Sequence, residues 1–325
     1  MKNSQYALGV DLGGTNLKMA LLDGEERIVA RWSSPTSGVE GHDAILARMI
    51  GGIRELQTAA KGTVVGVGVG VPGMVDMAAG VTGDLPNLPG RWTGVPVAAT
   101  LGDAVGLPVA VVNDGKTFAL AEHRLGAARG SANALFVTVG TGIGGAIVAD
   151  GRLIFGLGGA SGEVGHLIVQ PEGPRCTCGN FGCVETLASG PAIAAEAIRR
   201  VVQGFSTELA TRCEGNLNAI TPEFVALVAE AGDPAAIEIL DRAGAWLGIA
   251  LAGAVALVAP DVVVIGGGVA PAGSRYLRAA ERTARAHSGV TEIDRIAFRT
   301  AALGYDAGVI GAALWGRESA QAGSQ

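Results

Sequence analysis

The stretch "YALGVDLGGTNLKMALLD", residues 6–23, runs apolar, breaks at a Gly-Gly-Thr turn and runs apolar again. Residues 6–12 read as a buried strand, and residues 16–23 alternate well enough for a second strand. The element after such a turn decides the fold. A dinucleotide-binding unit needs G-x-G-x-x-G running into a helix, and here the turn leads into a strand. A P-loop needs G-x4-G-K-[ST]; "AVVNDGKT" (110–117) imitates its end, but Ala110 stands where the first glycine belongs. The third reading is a tight hairpin whose backbone N–H groups face phosphate oxygens, with Asp11 near a metal. A purely structural hairpin is the plain alternative for this turn taken alone.

The turn does not stand alone. "NALFVTVG" (133–140) leads through "GTGIGG" (140–145) into "GAIVADGRLIF" (145–155), again strand, glycine turn, strand. "IGGGV" (265–269) adds a third glycine stretch at a strand-to-helix junction. Two hairpins clasping the phosphates of ATP, with a glycine shelf under the adenosine, form a coherent arrangement, because a Cβ would block the approach of backbone to phosphate. The nucleotide-binding candidates are therefore Asp11, Gly13, Gly14, Thr15, Gly140, Thr141, Gly142, Gly144, Gly266, Gly267 and Gly268.

Around these turns the chain alternates strands and helices. Strands are expected at 27–34, 63–71, 108–113 and 261–266, and helices near 43–60, from 115, from about 192 and at 308–316. Asp23-Gly24 and Asp150-Gly151 read as hairpin reversals. Two similar β-β-β-α-β halves result, with no Pro/Ser linker between them, so they are expected to share a cleft.

Composition narrows the function. At 325 residues with 49% hydrophobic and 17% charged residues, the chain suits a compact globular protein. A net charge of -6 gives no reason to expect a nucleic-acid partner. The uncharged run Ala243–Ala259 is short for a membrane span and reads as a buried helix; the N-terminus has no signal-peptide pattern, so no membrane partner and a cytoplasmic location are expected.

"HLIVQPEGPRCTCGNFGCVE" (166–185) gathers three of four cysteines. Structural disulfides are rare in the cytoplasm. Cys176, Cys178 and Cys183 with His166 supply four ligands, enough to close a tetrahedral zinc site, and thiolates with imidazole select zinc over magnesium or calcium. A redox-active thiol cluster and three unpaired thiols are the rival readings. A zinc clamped by four protein ligands leaves no open position, so its part would be structural: to hold the flanking carboxylates Glu163 and Glu185 rigidly. Cys213 lies outside the cluster and reads as an ordinary small residue. Asp114 ends a strand, where α/β folds collect catalytic groups, and it could also cap the helix beginning at Gly115.

The segments "GVDLGGTNLK", "VNDG", "VTVGTGIGGAIV", "GEVGH", "CTCGNFGCVE" and "VVVIGGGVA" occur in the order found in the ROK family of sugar kinases, repressors and open reading frames, which the chain resembles from residue 6 to about 315. The resemblance implies a two-domain α/β actin/hexokinase-like (ribonuclease H-like) fold with an interdomain active-site cleft. The expected domains are 1–114, rejoined by the C-terminal helix 305–325, and 115–304 with the zinc loop 163–185. It implies zinc ligation by His166, Cys176, Cys178 and Cys183, and sugar contacts from Asn113, Glu163, His166 and Glu185, with Asn87 in "PNLPGRW" a weaker candidate. It places the catalytic base at Asp114, ionised at neutral pH if its pKa stays near the ordinary value of about 3.9. Asp11 would orient phosphate-bound magnesium through water. The implied reaction is ATP-dependent phosphorylation of a hexose 6-hydroxyl, glucose first; N-acetylmannosamine, N-acetylglucosamine, fructose or allose are alternatives, and polyphosphate could replace ATP. A homodimer or homotetramer is implied.

A sugar-sensing repressor is the second expectation. It is disfavoured because "DLGGT" begins at residue 11, leaving little room for a DNA-binding segment ahead of it. A sugar-independent ATPase would share the hairpins but not the cysteine loop. One departure stands out: "ND" runs on into "GKTFA" where the family carries small Ala-rich residues, so Lys116 and Phe118 alter the packing behind the base.

Overall fold

A glycine hairpin opens each of two five-stranded sheets. The computed structural model describes residues 5–85, 88–205, 207–268, 274–289 and 292–322. In the first sheet β1 (Gln5–Leu12) and β2 (Asn16–Leu22) pair antiparallel, with Asp11 opposite Lys18 and Leu12 opposite Leu17. Strand β3 (Ile28–Pro35) alternates half-buried and exposed residues, as an edge strand with one solvated face does. After helix α1 (His42–Ala59) the chain adds β4 (Thr63–Val71) parallel to β1. A two-stranded ribbon comes next, β5 (Val75–Asp76) and β6 (Val81–Thr82), then α2 (Val97–Val105). Strand β7 (Val109–Asn113) joins β4 in parallel and runs directly into α3 (Asp114–Arg124). The sheet order is β3-β2-β1-β4-β7.

Both faces of this sheet are covered, which is why β1 and β4 read as continuous apolar runs. Helix α1 packs Ile45, Met49 and Ile53 on one face, in the same core as Leu8, Val10, Met19 and Val69. The C-terminal helix (Ala307–Ala322) lies on the other face. It lies so close that a Cβ on Gly9 would overlap the Val309 carbonyl, and one on Gly68 the Ala312 carbonyl. The glycines of "LGVDL" and "VGVGV" therefore serve helix seating rather than turns.

The second sheet repeats the plan. Strands β8 (Ala134–Val139) and β9 (Ile143–Ala149) form the hairpin, Thr138 facing Gly144. Asp150 and Gly151, at φ 49° and 72°, turn into β10 (Arg152–Ile154) as a left-handed two-residue turn requires. Helices α4 (Glu185–Ala188), α5 (Gly190–Val202), α6 (Thr207–Cys213), α7 (Pro222–Glu230) and α8 (Pro234–Val258) lead to β11 (Val262–Gly266), parallel to β8. Helix α9 (Ser274–His287) then precedes β12 (Ala297–Thr300), and the order is β10-β9-β8-β11-β12. Two units with the same sheet order are what the actin/hexokinase-like expectation requires. Helix α8 is long and apolar enough to cross a membrane, but 61% of its most apolar window is buried inside the protein.

Three details differ from the sequence reading. The chain divides into one unit of Met1–Arg129, Leu153–Ser161 and Leu303–Gln325 and another of Gly130–Arg152 and Gly162–Ala302, where boundaries at 114 and 304 were expected. Helix α3 stays with the first unit because Thr117 packs on Gly70 of β4 and on Gly311 of the C-terminal helix. The Asp23 reversal is longer than a two-residue turn: the Asp23 carboxylate accepts from Glu25 N–H at 2.9 Å and Arg27 N–H at 3.0 Å, and Glu26 takes the positive φ. Finally, α3 begins at Asp114, and its cap is Asn113.

Candidate functional site

In the first unit, the turn after β1 is braced from outside. Gly13 N–H donates to Asn16 O at 3.0 Å and closes the hairpin. Thr36, fully buried just past β3, donates its hydroxyl to Gly13 O at 2.6 Å and its N–H to Thr15 O at 2.9 Å. Gly14, Thr15 and Asn16 remain exposed. Beside the turn, burial pushes the Asp11 carboxyl above its ordinary value, and the Lys18 ammonium across the ladder pulls the other way. A Cβ on Gly308 would stand 2.7 Å from Asp11 Oδ2, so the first turn of the C-terminal helix lies against this carboxylate. The positive end of a helix dipole suits an anion there.

Asn113 accepts from Gly115 N–H at 2.9 Å, and its amide donates to Gly73 O at 3.1 Å, which fixes both ends of the side chain. Asp114 also accepts from Gly115 N–H, at 2.8 Å, and is exposed while residues 115–119 are buried. The base candidate thus sits on the outer rim of a rigid helix start. Lys116, 1% exposed, donates to the Ser161 carbonyl and reaches the Ser161 hydroxyl at 3.3 Å. This is the packing consequence of the "GKTFA" departure: the lysine tethers the segment Leu153–Ser161, which Phe155 also anchors on Trp315 with ring centroids 5.2 Å apart. Asn87 lies outside the described residues.

In the second unit, the turn after β8 is gripped by a helical segment. Gly140 N–H donates to Gly142 O, and Gly190 N–H donates to Gly140 O, both at 2.9 Å. Ile143 N–H donates to Glu185 Oε2 at 2.8 Å. Thr141 is exposed. Gly267, at φ +91°, lies on the backbone of Val139, and Gly268 N is 4.0 Å from the Cβ position of Gly140. The turn of Gly140, Thr141, Gly142 and Gly144 and the stretch Gly266–Gly268 therefore meet.

Next to them lies the cysteine loop. His166 closes a short 3-10 turn whose Gly165 packs on the Ile143 carbonyl. His166 Nδ1 is 3.7 Å from Cys176 Sγ, Cys178 Sγ is 3.7 Å from Cys183 Sγ, and all four ligand atoms lie within 4.8 Å of one another. Ligands about 2.3 Å from a tetrahedral zinc ion would stand about 3.8 Å apart, so the spacing fits. The loop is fixed by Cys176 N–H to Asn180 O at 2.8 Å and Gly182 N–H to Pro174 O at 2.8 Å. Burial and the neighbouring thiols push Cys183 up to about 12, while the Asn180 N–H holds Cys178 below the ordinary thiol value. Thiols packed this closely cannot all ionise unaided, and a dication removes that conflict. Nδ1 is thus the ring nitrogen that His166 turns to the cysteines.

The two glycine hairpins and the grouping of His166, Cys176, Cys178 and Cys183 were legible in the sequence. Thr36, Gly308, the Lys116 tether and the bond of Glu185 to the glycine turn were not; none of these has a local signature.

The ROK family model matches residues 7–319. The chain is 36% identical to the glucokinase of Halalkalibacterium halodurans over 313 residues, 95% of this chain and 94% of that protein. It is 33% identical to the N-acetylmannosamine kinase of Citrobacter koseri over 307 residues, 94% and 97% of the two. Among solved structures, the ROK family glucokinase of Streptomyces griseus in complex with glucose and AMPPNP superposes with a TM-score of 0.81 at 30% identity, over 96% of this chain and 99% of that one. By a family match along nearly its whole length, and by these relatives, the chain belongs to the ROK family.

Proposed function

We infer that this chain is an ATP-dependent hexose kinase that transfers the γ-phosphoryl group to a sugar 6-hydroxyl, with glucose the first substrate to expect. The observation that carries this is Asp114, an exposed carboxylate on the first residue of a helix that Asn113 locks in place. It takes the hydroxyl proton as the oxygen attacks phosphorus; the transfer is largely dissociative, so alignment matters more than basicity. Asn113, Glu163, His166 and Glu185 hold the sugar hydroxyls, with Asn87 a further contact. The turn of Gly13, Gly14 and Thr15 and that of Gly140–Gly142 and Gly144, with Gly14, Thr15 and Thr141 exposed, cradle the phosphates, and Gly266–Gly268 underlie the adenosine. Asp11 would orient magnesium through water, where the ion would supply neutralisation of phosphate charge. His166, Cys176, Cys178 and Cys183 hold a structural zinc that takes no part in the chemistry. Thiol ligands of this kind suit the reducing cytoplasm, and a homodimer or homotetramer is the family expectation.

A second reading, an N-acetylmannosamine kinase, is favoured by the Citrobacter koseri relative. Asp114→Ala tests the shared chemistry: kcat should fall on the order of 10²–10⁴-fold, with ATP binding retained. A variant that keeps the parent rate would remove Asp114 as the base.

A further inference from the structure

We propose that Glu185 positions the phosphate turn as well as contacting the sugar, so that hexose occupancy and the shape of residues 140–142 depend on one carboxylate. This rests on the sugar-contact reading above. Glu185 Oε2 accepts from Ile143 N–H at 2.8 Å, and Ile143 is the residue on which the turn re-enters the sheet. The other end of the turn is held by the same segment, through Gly190 N–H to Gly140 O at 2.9 Å. Residues 185–190 therefore grip the turn at both ends. That grip starts two residues after a cluster ligand: Thr186 N–H and its hydroxyl donate to Cys183 O at 3.0 and 2.8 Å.

A carboxylate offers about four acceptor sites. The Ile143 amide occupies one, which leaves capacity for sugar hydroxyls. A hydroxyl that draws or pins the carboxylate acts on the Ile143 amide as well. By linkage, whatever the sugar does to nucleotide affinity, the nucleotide does equally to sugar affinity. Gly142 is the second observation. A Cβ placed there would crowd Glu185 Oε2. That oxygen is the movable end of its side chain, so an alanine at 142 would displace the carboxylate from the Ile143 amide rather than shift backbone.

Gly142→Ala, Glu185→Ala and the double variant, assayed over a matrix of glucose and ATP concentrations, test this. Gly142→Ala should raise the glucose KM by about 5–20-fold, although residue 142 belongs to the phosphate turn. In the Glu185→Ala background the same substitution should change the glucose KM by less than about twofold. If Glu185→Ala raises the glucose KM while Gly142→Ala moves only the ATP KM, the coupling is wrong and the sugar contact stands. If Glu185→Ala leaves the glucose KM unchanged, the sugar contact itself fails and the coupling falls with it. The unsubstituted enzyme gives an independent check. Glucose without nucleotide should slow amide exchange across residues 140–145 by about threefold or more, and exchange indifferent to glucose would overturn the proposal.

Discussion

The two glycine turns look alike in sequence and are held in different ways. The first, Gly13–Thr15, is braced by Thr36 at the end of the neighbouring strand, within its own sheet. The second, Gly140–Gly142, is gripped by Glu185 and Gly190, side chain and backbone of a helical segment that begins beside Cys183. One turn depends on sheet geometry and the other on a loop knotted around three thiols and an imidazole. The adjoining carboxylates differ accordingly: Asp11 is half-buried against the start of the C-terminal helix, while Glu185 has a backbone amide to bond.

Stripping the zinc proposed for the His166, Cys176, Cys178 and Cys183 cluster should separate the turns most sharply. Amide exchange at 140–145 should accelerate and activity fall on the order of 10²-fold, while exchange at residues 13–16 stays as it was. Equal loosening of both turns would erase the distinction. Thr36→Val is the converse. It leaves the Gly13 carbonyl without its hydroxyl donor, at a cost of about 1–3 kcal/mol. It should raise the ATP KM by about tenfold, a size matching that cost, and leave the glucose KM within about twofold; a matching rise for glucose would contradict it.

The smallest effect concerns Asp11. Burial raises its pKa in the folded state, so the folded chain holds that proton more tightly than the unfolded chain. The stability tied to this group is present below the unfolded pKa and is lost as pH rises through the folded one. Asp11→Asn cannot ionise and should melt about 2–4 °C higher at pH 7. The gain should vanish below about pH 4, even as activity is lost. Melting curves at the two pH values check it, and a variant less stable at pH 7 would show that Asp11 is a support rather than a cost.

Local pattern carried a good part of the molecule. The apolar runs of β1, β4, β8 and β11, the glycine hairpins, and the grouping of His166, Cys176, Cys178 and Cys183 follow from spacing and residue type. What the sequence hid depends on contacts between distant residues. Thr36 reaching Gly13, Gly308 meeting Asp11, Lys116 tethering Ser161 and Glu185 bonding Ile143 each join segments that no periodicity links. Asn113 and Asp114 show the limit at short range: both accept from Gly115 N–H, and the cap is Asn113, whose amide is also held by Gly73 O, a contact from 40 residues away. The boundary lies past α3 for a similar reason, since Gly70 and Gly311 make room for a helix that the expected division at 114 placed in the next domain.

The most direct test of the central claim is to incubate the enzyme with ATP, magnesium and each of a panel of hexoses and identify the products. Conversion of glucose, or of a close relative such as N-acetylmannosamine, to its 6-phosphate with stoichiometric ADP is the predicted result. ATP hydrolysis indifferent to every sugar, or no phosphorylated hexose at all, would contradict it.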